Sequence, residues 1–138
     1  MKIQDIMTHS VDTVGPEEDA RSVYRKFGER GVHHMPVIEN GRTIGILSTS
    51  DYQGVVHHAE KGGTISADMV FGGLSVRSLM TENPFTLPPD APIERAASLM
   101  LDQHVHAVPV VEHGILRGII TARDILAGVA RGSLKVSR

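Results

Sequence analysis

The chain reads as an α+β (α/β) protein built from two tandem copies of one β-α-β-β-α unit. Two observations predict it. The first is internal repetition: a single interval of 73 residues separates Met7-Thr8 from Met80-Thr81, Thr13 from Thr86, Pro16 from Pro89, Val32-His33 from Val105-His106, Pro36-Val37 from Pro109-Val110, Gly45-Ile46 from Gly118-Ile119 and Asp51 from Asp124. No gap interrupts that register over the 45 residues from Met7 to Asp51, so the unit is duplicated. The second is the order of periodicities inside each copy, which alternates short apolar runs with stretches of helical spacing.

Each copy opens on an extended piece around Thr13-Val14 or Thr86-Leu87. A proline-rich acidic segment follows, Gly15-Pro16-Glu17-Glu18-Asp19 or Pro88-Pro89-Asp90-Ala91-Pro92, as expected at a helix N-terminus. Ala20, Val23, Tyr24 and Phe27, and in the second copy Ile93, Ala96, Ala97 and Met100, then recur at the spacing of one helix face. Met35-Pro36-Val37-Ile38 and Val108-Pro109-Val110-Val111 read as strands. Their prolines belong near a strand start or an edge, because proline cannot donate to a ladder. Asn40-Gly41 is a strong tight-turn signal, and His113-Gly114 a weaker one. A second strand, Ile44 to Ser48 or Leu116 to Thr121, runs into a second helix bearing Tyr52, Val55 and Val56, or Ile125, Leu126 and Val129.

These spacings place the first repeat at 1–59, a linker at 60–75, the second repeat at 76–130 and a mobile tail at 131–138. Two glycine pairs mark the linker, within which Asp68-Met69-Val70-Phe71 is an apolar island able to dock on a core. A chain of 138 residues can bury a real core, whereas half of it would fold poorly alone.

The candidate chemistry lies where the second strand meets the second helix, at Gly45-Ile46-Leu47-Ser48-Thr49-Ser50-Asp51 and Gly118-Ile119-Ile120-Thr121-Ala122-Arg123-Asp124. A helix mouth offers unpaired N–H groups and partial positive charge, which suits an anion such as phosphate. The glycine behind it allows close approach to the backbone. The structural alternative is a capping box, in which Ser48 and Asp51, or Thr121 and Asp124, satisfy the helix's own donors.

Other classes of function find less support. Apolar residues make up 41% and charged residues 22%, ordinary for a soluble domain. Lys plus Arg number 14 against 16 Asp plus Glu, and only three Phe, two Tyr and no Trp are present, so neither a basic stripe nor stacking aromatics point to nucleic acid. The absence of cysteine removes disulfides and thiolate metal sites. No apolar run approaches the roughly 20 residues of a membrane span, the first residues do not resemble a signal peptide, and a cytoplasmic location is the expectation. Catalytic signatures such as a Walker A loop or a nucleophile elbow are missing, and the two aspartates belong to separate copies of the unit. Eight histidines (His9, His33, His34, His57, His58, His104, His106 and His113) leave a metal-binding reading open, but no His-x-x-x-His or HExxH spacing occurs. His33 and His106 are repeat equivalents, which favours a shared structural duty.

The duplicated unit with its Met-Thr starts, Pro-Val middle strands and Gly-Ile-x-Ser/Thr-x-x-Asp turns resembles the cystathionine-β-synthase (CBS) domain pair, or Bateman module. The resemblance covers nearly the whole chain apart from linker and tail. It implies two repeats packed with pseudo-two-fold symmetry around clefts that take adenosine-containing ligands: AMP, ADP, ATP or S-adenosylmethionine. It further implies that Asp51 and Asp124 accept from ribose hydroxyls, and that Ser48 and Thr121 donate to phosphate or ribose oxygen. Thr13-Val14 with Met35-Pro36, and Thr86-Leu87 with Val108-Pro109, would frame the adenine. Position 50 is Ser where 123 is Arg, so Arg123 suits a charged phosphate chain better than Ser50 does. The implied protein is a stand-alone regulatory sensor that needs no cofactor for catalysis, pairs as a homodimer through its helices and signals through an effector partner. The alternatives are an interaction module with empty clefts and a histidine-rich metal-binding protein.

Overall fold

The computed structural model describes residues 1–62 and 71–134, with side chains 56–62 outside that description. In chain order the elements are a 3₁₀ turn (Ile3–Asp5), α1 (Ala20–Arg30), β1 (His34–Glu39), β2 (Arg42–Ser48), α2 (Thr49–Gly62), α3 (Val76–Leu79), β3 (Thr81–Glu82), α4 (Ile93–Gln103), β4 (Ala107–Glu112), β5 (Ile115–Thr121) and α5 (Ala122–Ala130). Both helices with proline-rich, acidic approaches start directly after them, at Ala20 and Ile93.

The chain divides into two compact units whose limits are offset from the sequence repeats: residues 12–83 form one, and 1–11 with 84–138 the other. The offset has a simple origin. The Met-Thr segment that opens each repeat lies on the hairpin of the opposite repeat. Thr81 pairs with Ile46 of β2, and Thr8 exchanges two backbone hydrogen bonds with Ile119 of β5, at 2.9 and 3.0 Å.

In the unit 12–83, β1 and β2 form an antiparallel hairpin with β3 beside β2. Asn40 (φ 52°) and Gly41 (φ 77°) both adopt left-handed backbone, the signature of a type I′ turn whose twist matches the strands it joins. Val14 adds a parallel bridge to Val37: its N–H donates to the Pro36 carbonyl (3.1 Å), and its carbonyl accepts from Ile38 N–H (2.8 Å). Pro36 therefore sits on an edge strand, with its donorless nitrogen on the Val14 side rather than the β2 side, and interrupts no hairpin bond. Val14, Ala20, Val23, Phe27, Met35, Val37, Leu47, Tyr52, Phe71 and Val76 make the core. Within it Tyr52 packs edge-on to Phe27 and Phe71 at centroid distances of 5.9 and 4.9 Å, and its hydroxyl donates to the Ala20 carbonyl at 2.9 Å. Phe71 of the apolar island is thus a core residue, while the other three residues of that island lie outside the described residues.

The second unit repeats the plan with an aliphatic filling. β4 and β5 pair in the register of β1 and β2, including the bulge, which falls at Val110/Val111 as it does at Val37/Ile38. His113 (φ 51°) and Gly114 (φ 79°) form the same turn as Asn40-Gly41, so the weaker signal produces an equal structure. Its core holds Ile3, Met7, Leu87, Ala91, Ala96, Met100, Val108, Val110 and Ile120. Where the first unit has Phe27 and Tyr52, this one has Met100 in the core and Ile125 packed against it. Residues 131–134 do not leave the domain: Ser133 and Leu134 N–H both donate to the Gly128 carbonyl, and Leu134 lies over Gly128. Residues 135–138 lie outside the described residues.

Candidate functional site

Both helix mouths carry the hydroxyl–carboxylate clusters expected of them, and each cluster lies within one unit. At the end of β2, Ser48 N–H donates to Asp51 Oδ2 at 2.8 Å, and the Ser48 hydroxyl donates to the same oxygen at 3.2 Å. The Ser50 hydroxyl stands 2.7 Å from that of Ser48, which links all three predicted polar residues of the first mouth. The mouth is held in place by its own backbone, since Thr49 N–H donates to the His33 carbonyl at 3.0 Å.

The second mouth is a full capping box. Thr121 N–H donates to Asp124 Oδ2 (2.8 Å), and Asp124 N–H donates to the Thr121 hydroxyl (3.1 Å). The remaining carboxylate oxygen, Oδ1, accepts from the Thr8 hydroxyl at 3.3 Å. Ala122 N–H donates to the His106 carbonyl at 2.9 Å, matching Thr49 and His33. The repeat-equivalent histidines thus share a structural duty through their carbonyls, while both imidazoles are exposed.

Burial gives Asp51 a distinct electrostatic character. Half-buried desolvation raises its carboxyl above the ordinary range, and the two hydrogen bonds from Ser48 pull the other way without cancelling it. The ionised form therefore sits at the first turn of α2 at a net cost. The same burial, aided by the charges of Asp51 and Asp19, raises the Tyr52 phenol well above its ordinary value.

The remaining predicted residues divide by exposure. Thr13, Thr86 and Arg123 are exposed beside the buried Val14 and Leu87 and the half-buried Asp124. Met35, Pro36, Val108 and Pro109 are buried, with Met35 and Val108 wholly inside their cores, so what these four contribute outside the cores is backbone. That backbone adjoins the Thr13-Val14 and Thr86-Leu87 segments through the parallel bridges Val14–Val37 and Leu87–Val110. Pro36 and Met35 pair across the hairpin with Ile46 and Leu47, and so lie next to Ser48 in register.

Two sequence readings change once the contacts are visible. Gly45 and Gly118 admit protein backbone rather than a ligand: a methyl at Gly118 would stand 2.5 Å from the Thr8 carbonyl oxygen, and one at Gly45 would stand 2.7 Å from Met80 Sδ and 3.0 Å from the Thr81 oxygen. Thr8 touches the second carboxylate although sequence reasoning assigned it no role. Its signal was available in the Met-Thr doublet that opens each repeat.

A hollow of about 360 Å³ in the unit 12–83 is lined by Tyr24, Phe27, Gly28, Gly31, Val32, His33, Thr49 and Gln53. A shallower polar one in the other unit is lined by Gln4, Asp5, Met7, His9, Pro89, Glu112 and Arg117. Neither takes in Ser48, Asp51, Thr121 or Asp124. Among the described residues no three His, Asp or Glu side chains gather as a metal-ion site, and no helix is long and apolar enough to cross a membrane.

Comparison with known proteins agrees with the repeat. The family model for the CBS domain matches residues 3–57 and again 76–131. The chain is 30% identical over 125 residues to an inosine-5'-monophosphate dehydrogenase of Korarchaeum cryptofilum, covering 90% of this chain and 23% of that enzyme. Among solved structures it resembles CBSX2 in complex with AMP (TM-score 0.78, 24% identity, 96% of this chain and 98% of that one). It also resembles the CBS domain pair of protein MJ0100 in complex with 5'-methylthioadenosine and S-adenosyl-L-methionine (TM-score 0.80, 20% identity, 97% and 98%). The chain spans less than half the length of the first curated relatives it matches. With two matched repeats covering most of its length, the chain belongs to the CBS-domain family and carries a tandem pair of those domains.

Proposed function

We propose that this CBS pair is a cytoplasmic regulatory module without catalysis of its own, binding an adenosine-containing ligand of the AMP, ADP, ATP or S-adenosylmethionine class. The observation that carries the reading is the duplicated hydroxyl–carboxylate cluster at a helix mouth, with Asp51 kept there despite the cost of burying its charge. The adenosyl ligands in the structures of CBSX2 and MJ0100 support the ligand class.

In this reading Asp51 and Asp124 turn from capping to accept two ribose hydroxyls, which a carboxylate's paired oxygens suit. Ser48 and Thr121 donate to phosphate or ribose oxygen, with Ser50 adding one donor in the first site. Arg123 supplies the second site with a planar fork for phosphate. Thr13 and Thr86, with the backbone of Val14, Met35, Pro36, Leu87, Val108 and Pro109, frame the adenine. Ligand binding biases the packing of the module by differential affinity, and the output passes to a second copy of the chain or an effector protein.

One observation favours a second reading, an interaction module that binds no ligand: the Thr121–Asp124 box is already closed by its own donors. A thermal-shift and calorimetric series with adenosine, AMP, ADP, ATP and S-adenosylmethionine separates the two. A ligand at 100 times its Kd adds about 2.7 kcal/mol of stability when it binds only the folded state. Asp124→Ala is expected to weaken binding by roughly 1–3 kcal/mol with the fold retained. Arg123→Ala is expected to weaken ATP and ADP more than adenosine. Unmoved melting with all five compounds defeats the sensor reading in favour of the second.

A further inference from the structure

We propose that Thr8 is the positioning residue of the second mouth. Its hydroxyl fixes one oxygen of Asp124, so that this carboxylate meets a ribose diol already oriented, an advantage the first mouth lacks. This deepens the ligand reading above and rests on it.

The two carboxylates carry similar caps but different sets of hydrogen bonds. At the second mouth the two oxygens are held by different elements. Asp124 Oδ2 accepts from the Thr121 N–H at 2.8 Å, inside the capping box. Oδ1 accepts from the Thr8 hydroxyl at 3.3 Å, across 116 residues of sequence. One donor on each oxygen leaves acceptor capacity on both, since an ionised carboxylate offers about four lone-pair sites. A vicinal diol calls for that division, one hydroxyl to each oxygen. At the first mouth both Ser48 donors converge on Asp51 Oδ2, and among the described residues the Thr81 hydroxyl makes no bond to this carboxylate. When Asp51 gives up capping, its tie to Ser48 goes with it. When Asp124 does so, the Thr8 bond, lying outside the box, remains to direct Oδ1.

Thr8 can direct a neighbour because it is itself held. Its N–H and carbonyl exchange bonds with Ile119 at 2.9 and 3.0 Å, two residues before Thr121 on the strand that ends at the mouth. Met7, next to it, is buried in the core of the same unit. The Thr8 carbonyl oxygen lies so close over β5 that a methyl on Gly118 would stand 2.5 Å from it. Thr81 pairs with Ile46 in the equivalent register, but its carbonyl oxygen stands farther from the matching position over Gly45, at 3.0 Å. The leading segment thus lies closer to the strand at the mouth where its hydroxyl reaches the acid. A polar group oriented by locked neighbours before the ligand arrives lowers the ordering cost of binding. Thr8 is exposed, so removing its hydroxyl strands no buried polar group in the core.

Calorimetric titration with AMP, and with 2′,3′-dideoxy-AMP as the same ligand without its diol, tests the assignment. Asp51→Ala confines binding to the second mouth, and Thr8→Val and Thr8→Ser are made in that background. Thr8→Val is expected to bind AMP roughly fivefold more weakly, the effect of losing one hydrogen bond of ordinary strength, and Thr8→Ser to restore it. The dideoxy ligand gives Asp124 no hydroxyl to accept, so its affinity is expected to be the same with Thr8 or Val. Thr81→Val, made on Asp124→Ala, is expected to leave AMP binding at the first mouth unchanged. A loss shared equally by both ligands, or not restored by serine, would mean that Thr8 serves only the fold. Tighter AMP binding by Thr8→Val would mean that the hydroxyl competes with ribose, and unchanged binding would remove it from the site. An equal loss from Thr81→Val would erase the difference between the mouths, and AMP binding abolished by Asp51→Ala alone would assign the ligand to the first. Each of these overturns the inference and leaves the ligand reading standing. An unsubstituted chain that takes up no AMP would overturn this inference together with the AMP reading.

Discussion

Replacing Gly118 by Ala is the most direct test of how the leading segments are held. The added methyl would stand 2.5 Å from the Thr8 carbonyl oxygen and 3.0 Å from Met7 Sδ. A carbon–oxygen contact relaxes near 3.3 Å, so the Thr8 backbone must retreat by about 0.8 Å. That retreat carries its two bonds to Ile119, now 2.9 and 3.0 Å, past useful length. Two hydrogen bonds at about 0.5–1.5 kcal/mol each, offset by about 0.4–1 kcal/mol from stiffening the unfolded chain, leave a net loss centred on ~1.3 kcal/mol. At roughly 2–4 °C per kcal/mol, the melting temperature falls by roughly 2–8 °C. Gly45→Ala should cost less, because its closest neighbour is the flexible sulfur of Met80 and the Thr81 oxygen is farther, at 3.0 Å. Urea denaturation measures the difference, and amide exchange at Thr8 and Ile119 localises it. A Gly118→Ala protein as stable as its parent, or a larger penalty at Gly45, would refute the reasoning.

Two further substitutions probe the burial of polar groups in the unit 12–83. Tyr52→Phe keeps the ring contacts and loses the bond to the Ala20 carbonyl, with an expected cost of about 1 kcal/mol in urea midpoints. It should also flatten the alkaline limb of stability: the buried phenol holds its proton, so the stability it contributes is present below pH 10 and lost as pH rises above. For Asp51→Asn the sign follows from a carboxyl raised by burial. The folded state binds its proton more tightly, so stability from this group is greatest below the unfolded value of 3.8 and declines as pH rises through the folded value. The asparagine variant should lack that decline and be the more stable of the two at neutral pH, while adenosine binding at the first mouth weakens. Parallel stability–pH curves for parent and variant would contradict it.

Much of this architecture was legible because the repeat states each element twice. His113-Gly114 alone is an ambiguous turn, but its equivalence to Asn40-Gly41 settles its geometry. The helix mouths were legible for the same reason, since strand, hydroxyl and carboxylate fall in fixed order. The exchange of the Met-Thr segments was not, because local pattern carries no information on which of two similar hairpins a short segment will lie on. For that reason Gly45 and Gly118 read as space for a ligand when the neighbour is Met80-Thr81 or Met7-Thr8. Burial of Met35 and Val108 was equally hidden: an apolar residue beside a polar mouth can face either way, and the hairpin register turns both inward.

The traded leading strips have a consequence for dissection. A fragment cut at residue 59 keeps Met7-Thr8 without the β5 surface it lies on, and keeps β2 with the flank that Met80-Thr81 should cover left bare. Each half is then both donor and debtor, missing what the other half owns. Expressed apart and mixed, the halves have every reason to recombine, and neither has the means to finish itself alone.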